Sequence, residues 1–373
     1  MQRLPAVLTP LDIALRLLLD GIKPVNPINM SFSDSVGRVA ADNAPLQAAY
    51  PAFSVATADG WALRSADIAG ASSYSPVMLP MPPVWVETGD RLPDGCDCVL
   101  DPDMVEQTGP TFQILADVAP GHGVRRAGED IVAGHAIIAP GRRVGMRDTL
   151  AFRAMGLEHV RVRAPRIVVM DIGSAEGETA SSQFVLEFVR AAGAEAIFVR
   201  TKGRDLESIA AAARELACDL VITVGGTGSG RTDATIQALA KSGDVLAHGL
   251  AIQPGRTTAV ARIGKLPVIA VPGSPDQALA ACLLLIQPAL NVLLARLPQE
   301  EIVRPLARKI SSSIGVTELV LLETRAGAWM PLAGGRLSLD VILRAEAWLA
   351  VAAESEGYAA GTTAGAFSLC EMT

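Results

Sequence analysis

Residues 219–233 read DLVITVGGTGSGRTD and bring together the residue types that hold an anion. Five residues with a β-branched bias run into Gly225, Gly226, Gly228 and Gly230, and a helical pattern begins near residue 232. A strand that empties into a glycine loop ahead of a helix exposes backbone N–H groups at the positive end of the helix dipole, where phosphates and oxyanions bind. The same loop also reads as a simple turn, since one glycine motif is weakly specific. Asp233 sits at the helix start. It reads either as a cap worth about 1 kcal/mol or as a Mg2+ ligand beside a phosphate. A second strand and loop, LPVIAVPGSPD at 266–276, offers Pro272, Gly273, Ser274 and Pro275. Arg256, in QPGR, can grip an oxyanion bidentately or stand solvated. Asp59, in TADGWA, reads as the corner of a β-turn or as a carboxylate offered to a ligand or metal.

The elements around these loops alternate in type. Strands are expected at 166–171, 194–200, 219–224 and 266–271, with helices at 181–192, 206–216, 232–240 and 275–295. Such alternation predicts a doubly wound parallel sheet covered on both faces. Ligands bind at the carboxyl ends of such strands, which puts 171–178, 225–233 and 272–276 on one rim. Upstream, Leu11, Ala14, Leu15, Leu18 and Leu19 form one helical face, with Thr9 expected as N-cap, Pro10 at the first helical position and Gly21 as the stop. Residues 24–49 are extended and proline-punctuated. Short β-like runs between 73 and 118 predict a small β-rich domain, and 147–155 reads as a helix. Beyond 298, strands at 318–323, 329–331 and 348–353 flank a helix at 338–345 in a small α+β or β-barrel tail.

Composition narrows the function classes. The chain has 373 residues, half of them hydrophobic and only 19% charged, so large aliphatic cores are expected. Net charge is −7 and no Lys/Arg block stands out, which argues against nucleic acid as a partner. Cys96, Cys98, Cys218, Cys282 and Cys370 lack metal-ligand spacing and read as free thiols in a reducing compartment. No secretory pattern opens the chain, and the longest apolar run, 278–286, is too short for a bilayer. A cytoplasmic protein without a membrane partner is the expectation. The four histidines, at 122, 135, 159 and 248, suggest no catalytic triad, and neither a Walker loop nor a dinucleotide fingerprint is present.

The collinear motifs resemble the molybdopterin molybdenumtransferases of the MoeA/gephyrin-E class over nearly the whole chain. Thr57-Ala58-Asp59-Gly60-Trp61-Ala62 stands where that family has S-x-M-D-G-Y-A. Glu87-Thr88-Gly89 with Leu92-Pro93-x-Gly95-x-Asp97 is similar to T-G-x-x-x-P-x-G-A-D, and Gly128-Glu129-Asp130-Ile131 to G-E-D-I. Gly225-Gly226-x-x-x-Gly230-x-x-Asp233 resembles G-G-x-S-x-G-x-x-D, while Pro254-Gly255-Arg256 and Pro272-Gly273-Ser274-Pro275 resemble K-P-G-K and L-P-G-N-P.

The resemblance implies a multidomain α/β fold. A linking and dimerisation domain would comprise 1–45 with 140–165, a β-rich domain 46–139, a molybdopterin-binding α/β domain 166–298 and a β-rich C-terminal domain 299–373. It also implies a homodimer, with the site between one subunit's α/β domain and the other's β domain. The implied reaction inserts molybdate into adenylylated molybdopterin with Mg2+ and releases AMP. Asp59, Asp130 and Asp233 would be its acidic members, with Asp233 and Glu176 at the metal. Thr88, Gly225, Gly226, Gly228, Gly230, Arg256 and the loop Pro272, Gly273, Ser274, Pro275 would line the substrate. Molybdoenzymes or other cofactor-biosynthesis proteins would be partners.

The sequence departs from the family pattern at defined places. Its S-T-G-D-E is here Asp171-Ile172-Gly173-Ser174-Ala175, with Glu176 or Glu178 as the nearest acids. Gly228 replaces the loop serine, Arg231 follows Gly230, Gln253 replaces the first lysine of K-P-G-K, Ser274 replaces asparagine and Ala58 replaces methionine. Two alternatives to the enzyme are a molybdopterin-binding module without the insertion chemistry and a small-molecule nucleotide-binding protein with no molybdenum role.

Overall fold

A computed structural model describes residues 7–42, 46, 48–172, 179–212, 217–231 and 233–369. The chain divides into two compact units. One comprises 1–42, 139–149 and 159–373; the other comprises 43–138 and 150–158.

The first unit is built on a six-stranded sheet. Its order is Glu195–Arg200, Arg166–Asp171, Leu220–Val224, Leu266–Val271, Ala259–Ile263, Asp244–His248. The first four strands are parallel and the last two antiparallel. A wholly parallel sheet was the expectation, so the 244–248 and 259–263 strands are an addition to it. In the 244–248 strand the register shifts at Val245/Ala247, and such a bulge moves a strand's side chains between faces; in 259–263, Ala259 and Ala261 face one core and Val260 the other.

Side-chain alternation sends the two halves of each central strand into different cores. Ile167, Val169, Leu220, Ile222, Val224, Ile269 and Val271 face the larger one, together with the helix Ala180–Ala191. Val168, Val221, Val268 and Ala270 face the other, where Leu239 packs. Leu220–Val224 is buried at every position, as a central parallel strand should be.

The N-terminal helix, Leu11–Leu19, buries Ala14 and Leu18 in the larger core. Thr9 does not cap it; no side chain bonds the helix start. Thr9 instead uses its backbone, donating to the Gly249 carbonyl at 2.9 Å and accepting the Ala251 N–H at 2.7 Å. The helix starts at Leu11, so Pro10, expected as its first residue, stands at the N-cap and Thr9 lies one position before it.

A helix of 20 residues, Pro275–Leu294, crosses the larger core. It fills the span expected for it, 275–295, and by length and composition alone it could cross a membrane, although the apolar run 278–286 by itself is too short for that; 72% of its most apolar window is buried inside the protein. Pro288 lies in its interior. Residues Cys282–Ile286 widen into a π turn just before it, the local adjustment that accommodates a residue lacking an N–H.

The C-terminal residues form a second six-stranded sheet, in which Ile252–Gln253, Thr317–Arg325, Ala347–Val351, Thr363–Ser368 and Ile302–Pro305 follow in order and Ala328–Gly334 pairs with Thr317–Arg325. The helix Leu339–Arg344 is capped by Ser338, whose hydroxyl accepts the Val341 N–H.

The sheets of the second unit are made of short antiparallel strands. Val84–Val86, Gly60–Leu63 and Cys98–Leu100 form one sheet, and Ser72–Met78, Thr111–Ala116 and Val105–Thr108 another. Trp61 meets Trp85 and Phe112 edge-on at 5.2 and 5.7 Å between centroids. Gly60 is required here by close approach, because a Cβ would drive into the Leu100 carbonyl.

Candidate functional site

A cleft of about 450 Å3 opens at the carboxyl ends of three neighbouring parallel strands. Ile172 follows the first, Gly225 to Gly228 the second, and Pro272 to Ser274 the third. The chain leaves Arg166–Asp171 toward Glu195–Arg200 on one side, then crosses back to Leu220–Val224 on the other. The cleft therefore lies at the topological switch point, where open α/β sheets bind ligands.

The sheet ladder extends into the loops and fixes them. Ile172 donates to the Val224 carbonyl at 3.0 Å, and Gly225 to the Val271 carbonyl at 2.8 Å. Thr235 reaches back from its helix: its N–H donates to the Gly226 carbonyl at 3.2 Å and its hydroxyl to the Gly225 carbonyl at 2.9 Å. Gly226 has φ +67°, and a Cβ there would strike Thr235 Oγ1. Ser181, on the helix Ala180–Ala191, donates to the Gly273 carbonyl at 2.8 Å and ties down the second loop. Thr227 Oγ1 lies 3.1 Å from Thr257 Oγ1, and His248 Nε2 lies 3.2 Å from the Thr227 carbonyl.

Two long helices start at this rim. Thr179 caps Ala180–Ala191 by accepting the Ser182 N–H, and Pro275–Leu294 begins immediately after Ser274. Their N-terminal dipoles make the cleft favourable to negative charge. Behind Thr179, the fully buried Asp171 accepts its hydroxyl at 3.4 Å and lies 3.9 Å from Arg200 Nε.

Of the expected site residues, Gly225, Gly226, Gly228, Asp233, Pro272, Gly273 and Ser274 line this one cleft. Gly230 stands at its edge, donating its N–H to Asp233 Oδ2 at 3.0 Å. Pro275 opens the long helix. Asp233 is not a helix cap: Ala234 occupies that position with no side-chain bond. Its carboxylate folds back onto the glycine loop and pairs with Arg204, Nη2 to Oδ1 at 3.3 Å. Arg256 is exposed and outside the lining, although its neighbour Thr257 lies within it. Glu176 lies outside the described residues.

Asp59, Thr88 and Asp130 belong to the second unit. Asp59 Oδ1 accepts both the Thr88 N–H, at 2.7 Å, and the Thr88 hydroxyl, at 2.9 Å. These bonds hold the Asp59 carboxyl below its usual pKa. Asp130 pairs with Arg125 at 3.4 Å. The TADGWA and ETG motifs are thus joined by a single carboxylate.

Sequence reasoning placed Thr227 on the rim without singling it out, and missed Arg204, Thr179, Thr257 and Gln277 in the cleft lining. Thr179 carried a readable signal, since Thr with Ser182 three residues on suits a helix start. Arg204 carried none, because only the fold brings the end of the 195–200 strand beside residue 233. Mg2+ finds no prepared site among the described residues. No group of three or more His, Cys, Asp or Glu comes together there. Asp233 is the only described acid lining the cleft, and both its oxygens are engaged.

Comparison with known proteins agrees with this geometry. Residues 9–156 match the family model for the MoeA N-terminal region (domain I and II), and 166–292 match that for a probable molybdopterin binding domain. A Mycobacterium tuberculosis protein named molybdopterin molybdenumtransferase 2 is 26% identical over 317 residues, spanning 74% of this chain and 78% of that protein. A Bacillus subtilis molybdopterin molybdenumtransferase is 26% identical over 318 residues, spanning 76% and 74%. A crystal structure of a molybdopterin biosynthesis MoeA protein from Pyrococcus horikoshii superposes with a TM-score of 0.77 at 25% identity, covering 97% of this chain and 99% of that one. With both characteristic regions in tandem on a matching fold, this chain belongs to the MoeA family as a divergent member.

Proposed function

We propose that this protein acts in molybdenum cofactor biosynthesis, inserting molybdate into adenylylated molybdopterin and releasing AMP. The observation that carries this reading is the cleft itself. Two loops at adjacent strand ends and two helix N-termini converge on a space suited to a phosphorylated small molecule. Hydroxyls of Thr179, Thr227 and Thr257 and the Gln277 amide add neutral hydrogen-bonding groups for a polar ring system. The names of the relatives support the reaction class. Molybdate is a substrate here. The described residues hold no set of three or more His, Cys, Asp or Glu ligands for Mg2+.

The same reading makes the protein a cytoplasmic homodimer that delivers its product toward molybdoenzymes or other cofactor-biosynthesis proteins. Light scattering on the purified chain tests the dimer. A second reading, a module that binds molybdopterin without inserting metal, is favoured by one observation: the Asp233 carboxylate is held by Arg204. Purified protein given adenylylated molybdopterin and molybdate, with AMP measured over time, separates the two. AMP release in step with molybdate incorporation supports the enzyme; pterin binding without AMP supports the module.

A further inference from the structure

Arg204 and Asp233 are 29 positions apart, yet they form the only ion pair among the described residues that line the cleft. The guanidinium is 41% exposed and the carboxylate 16%. Asp233 Oδ2 is engaged by the Gly230 N–H, so the carboxylate is held from the loop side and the arginine covers its open side. Arg204 is also the one cationic side chain in the described lining.

This arrangement puts a fixed positive charge where a carboxylate would otherwise attract a divalent cation. A cation seated on Asp233 would lie close to the guanidinium, and the two like charges would repel. The guanidinium also has five donors in a planar fork, more than one carboxylate oxygen uses. It can keep its bond to Asp233 and present the remaining N–H groups to a phosphate in the cleft. A partly exposed ion pair is weak on its own, so an incoming anion recruits Arg204 at little cost.

We infer that Arg204 is the phosphate-recognising, specificity-determining residue of this cleft, and that it lets the protein bind the phosphate group of its pterin ligand without a divalent cation. The inference rests on the functional reading above and names how the ligand's charge is met. Asp233 then holds the guanidinium at the cleft until the ligand arrives, and it competes with the ligand for it.

The test uses molybdopterin as the probe and the full chain, with affinity measured by calorimetry in the presence of Mg2+ and in the presence of EDTA. The wild-type dissociation constant is expected to be the same in both within about twofold. Arg204→Ala is expected to weaken binding by about tenfold, the loss of one hydrogen bond to a charged group, and to make the remaining affinity depend on Mg2+, since Asp233 is now free to hold it. Asp233→Asn, whose amide oxygen still accepts the Gly230 N–H, is expected to bind as tightly as wild type or tighter. Arg204→Lys, which keeps the charge but loses the fork, is expected to fall between wild type and Arg204→Ala. Wild-type binding that disappears in EDTA, or loss of binding in Asp233→Asn, overturns the inference and leaves the pterin-binding reading standing. Absence of wild-type binding under every condition overturns both.

Discussion

Replacing Gly226 with alanine tests whether the glycine loop is shaped by backbone geometry. Gly226 has φ +67°, and an L-residue there costs about 1–2 kcal/mol. The new methyl group also meets Thr235 Oγ1, a fully buried hydroxyl that donates to the Gly225 carbonyl at 2.9 Å. Pushing it aside forfeits a bond worth about 0.5–1.5 kcal/mol. The expected loss is therefore about 1.5–3.5 kcal/mol. Native-state hydrogen exchange at the Leu220–Val224 amides reads this locally, because the strand is wholly buried and feeds the loop. Thr235→Ala removes the obstructing hydroxyl, so Gly226→Ala in that background is expected to cost about 1 kcal/mol less than in the wild type. A Gly226→Ala effect below about 0.5 kcal/mol, typical of an exposed surface change, refutes the reasoning, as does full additivity of the two substitutions.

Two further outcomes are expected. Thr88 holds the Asp59 carboxyl below its ordinary value through its N–H and its hydroxyl. A depressed carboxyl contributes stability above the unfolded carboxylate pKa and loses it as pH falls through the folded value. Wild type should therefore lose stability more steeply than Asp59→Asn below about pH 4 in acid titrations of unfolding; parallel curves argue against it. Burial, with Asp97 nearby, pushes the Cys98 thiol up to about 12, and burial also pushes Cys282 up. Alkylation at neutral pH should leave both unmodified until the protein unfolds; rapid native labelling of either contradicts their placement in the core.

The central strands were legible in the sequence because burial on both faces leaves no alternation, only apolar runs such as 220–224 and 266–271, each ended by glycine or proline. The glycine loop and the Pro272 loop followed from the same pattern, and the strand order that joins them into one cleft follows from βαβ geometry. The antiparallel strand 244–248 was not legible, because a bulge at Val245/Ala247 breaks the period that marks a strand; its partner 259–263 was missed as well, its first three residues being buried in two cores with no polar alternation. The Pro275–Leu294 helix was legible at its full length; the π turn at Cys282–Ile286, next to Pro288, was not. Thr9 illustrates a tertiary contact overriding a local preference: its backbone bridges to residues 249–251 instead of its side chain capping the helix. In the cleft, backbone donors were predictable and charged partners were not. Asp233 reads locally as a cap or a ligand, but its partner, Arg204, is 29 positions away and only the crossover between strands brings them together.

The most direct measurement is a crystal structure of the full chain with molybdopterin bound. Density for the pterin phosphate is expected between Gly225 to Gly228 and Pro272 to Ser274, within hydrogen-bonding distance of the Arg204 guanidinium. Ligand density away from this cleft, or a phosphate there with Arg204 turned to solvent, contradicts that expectation.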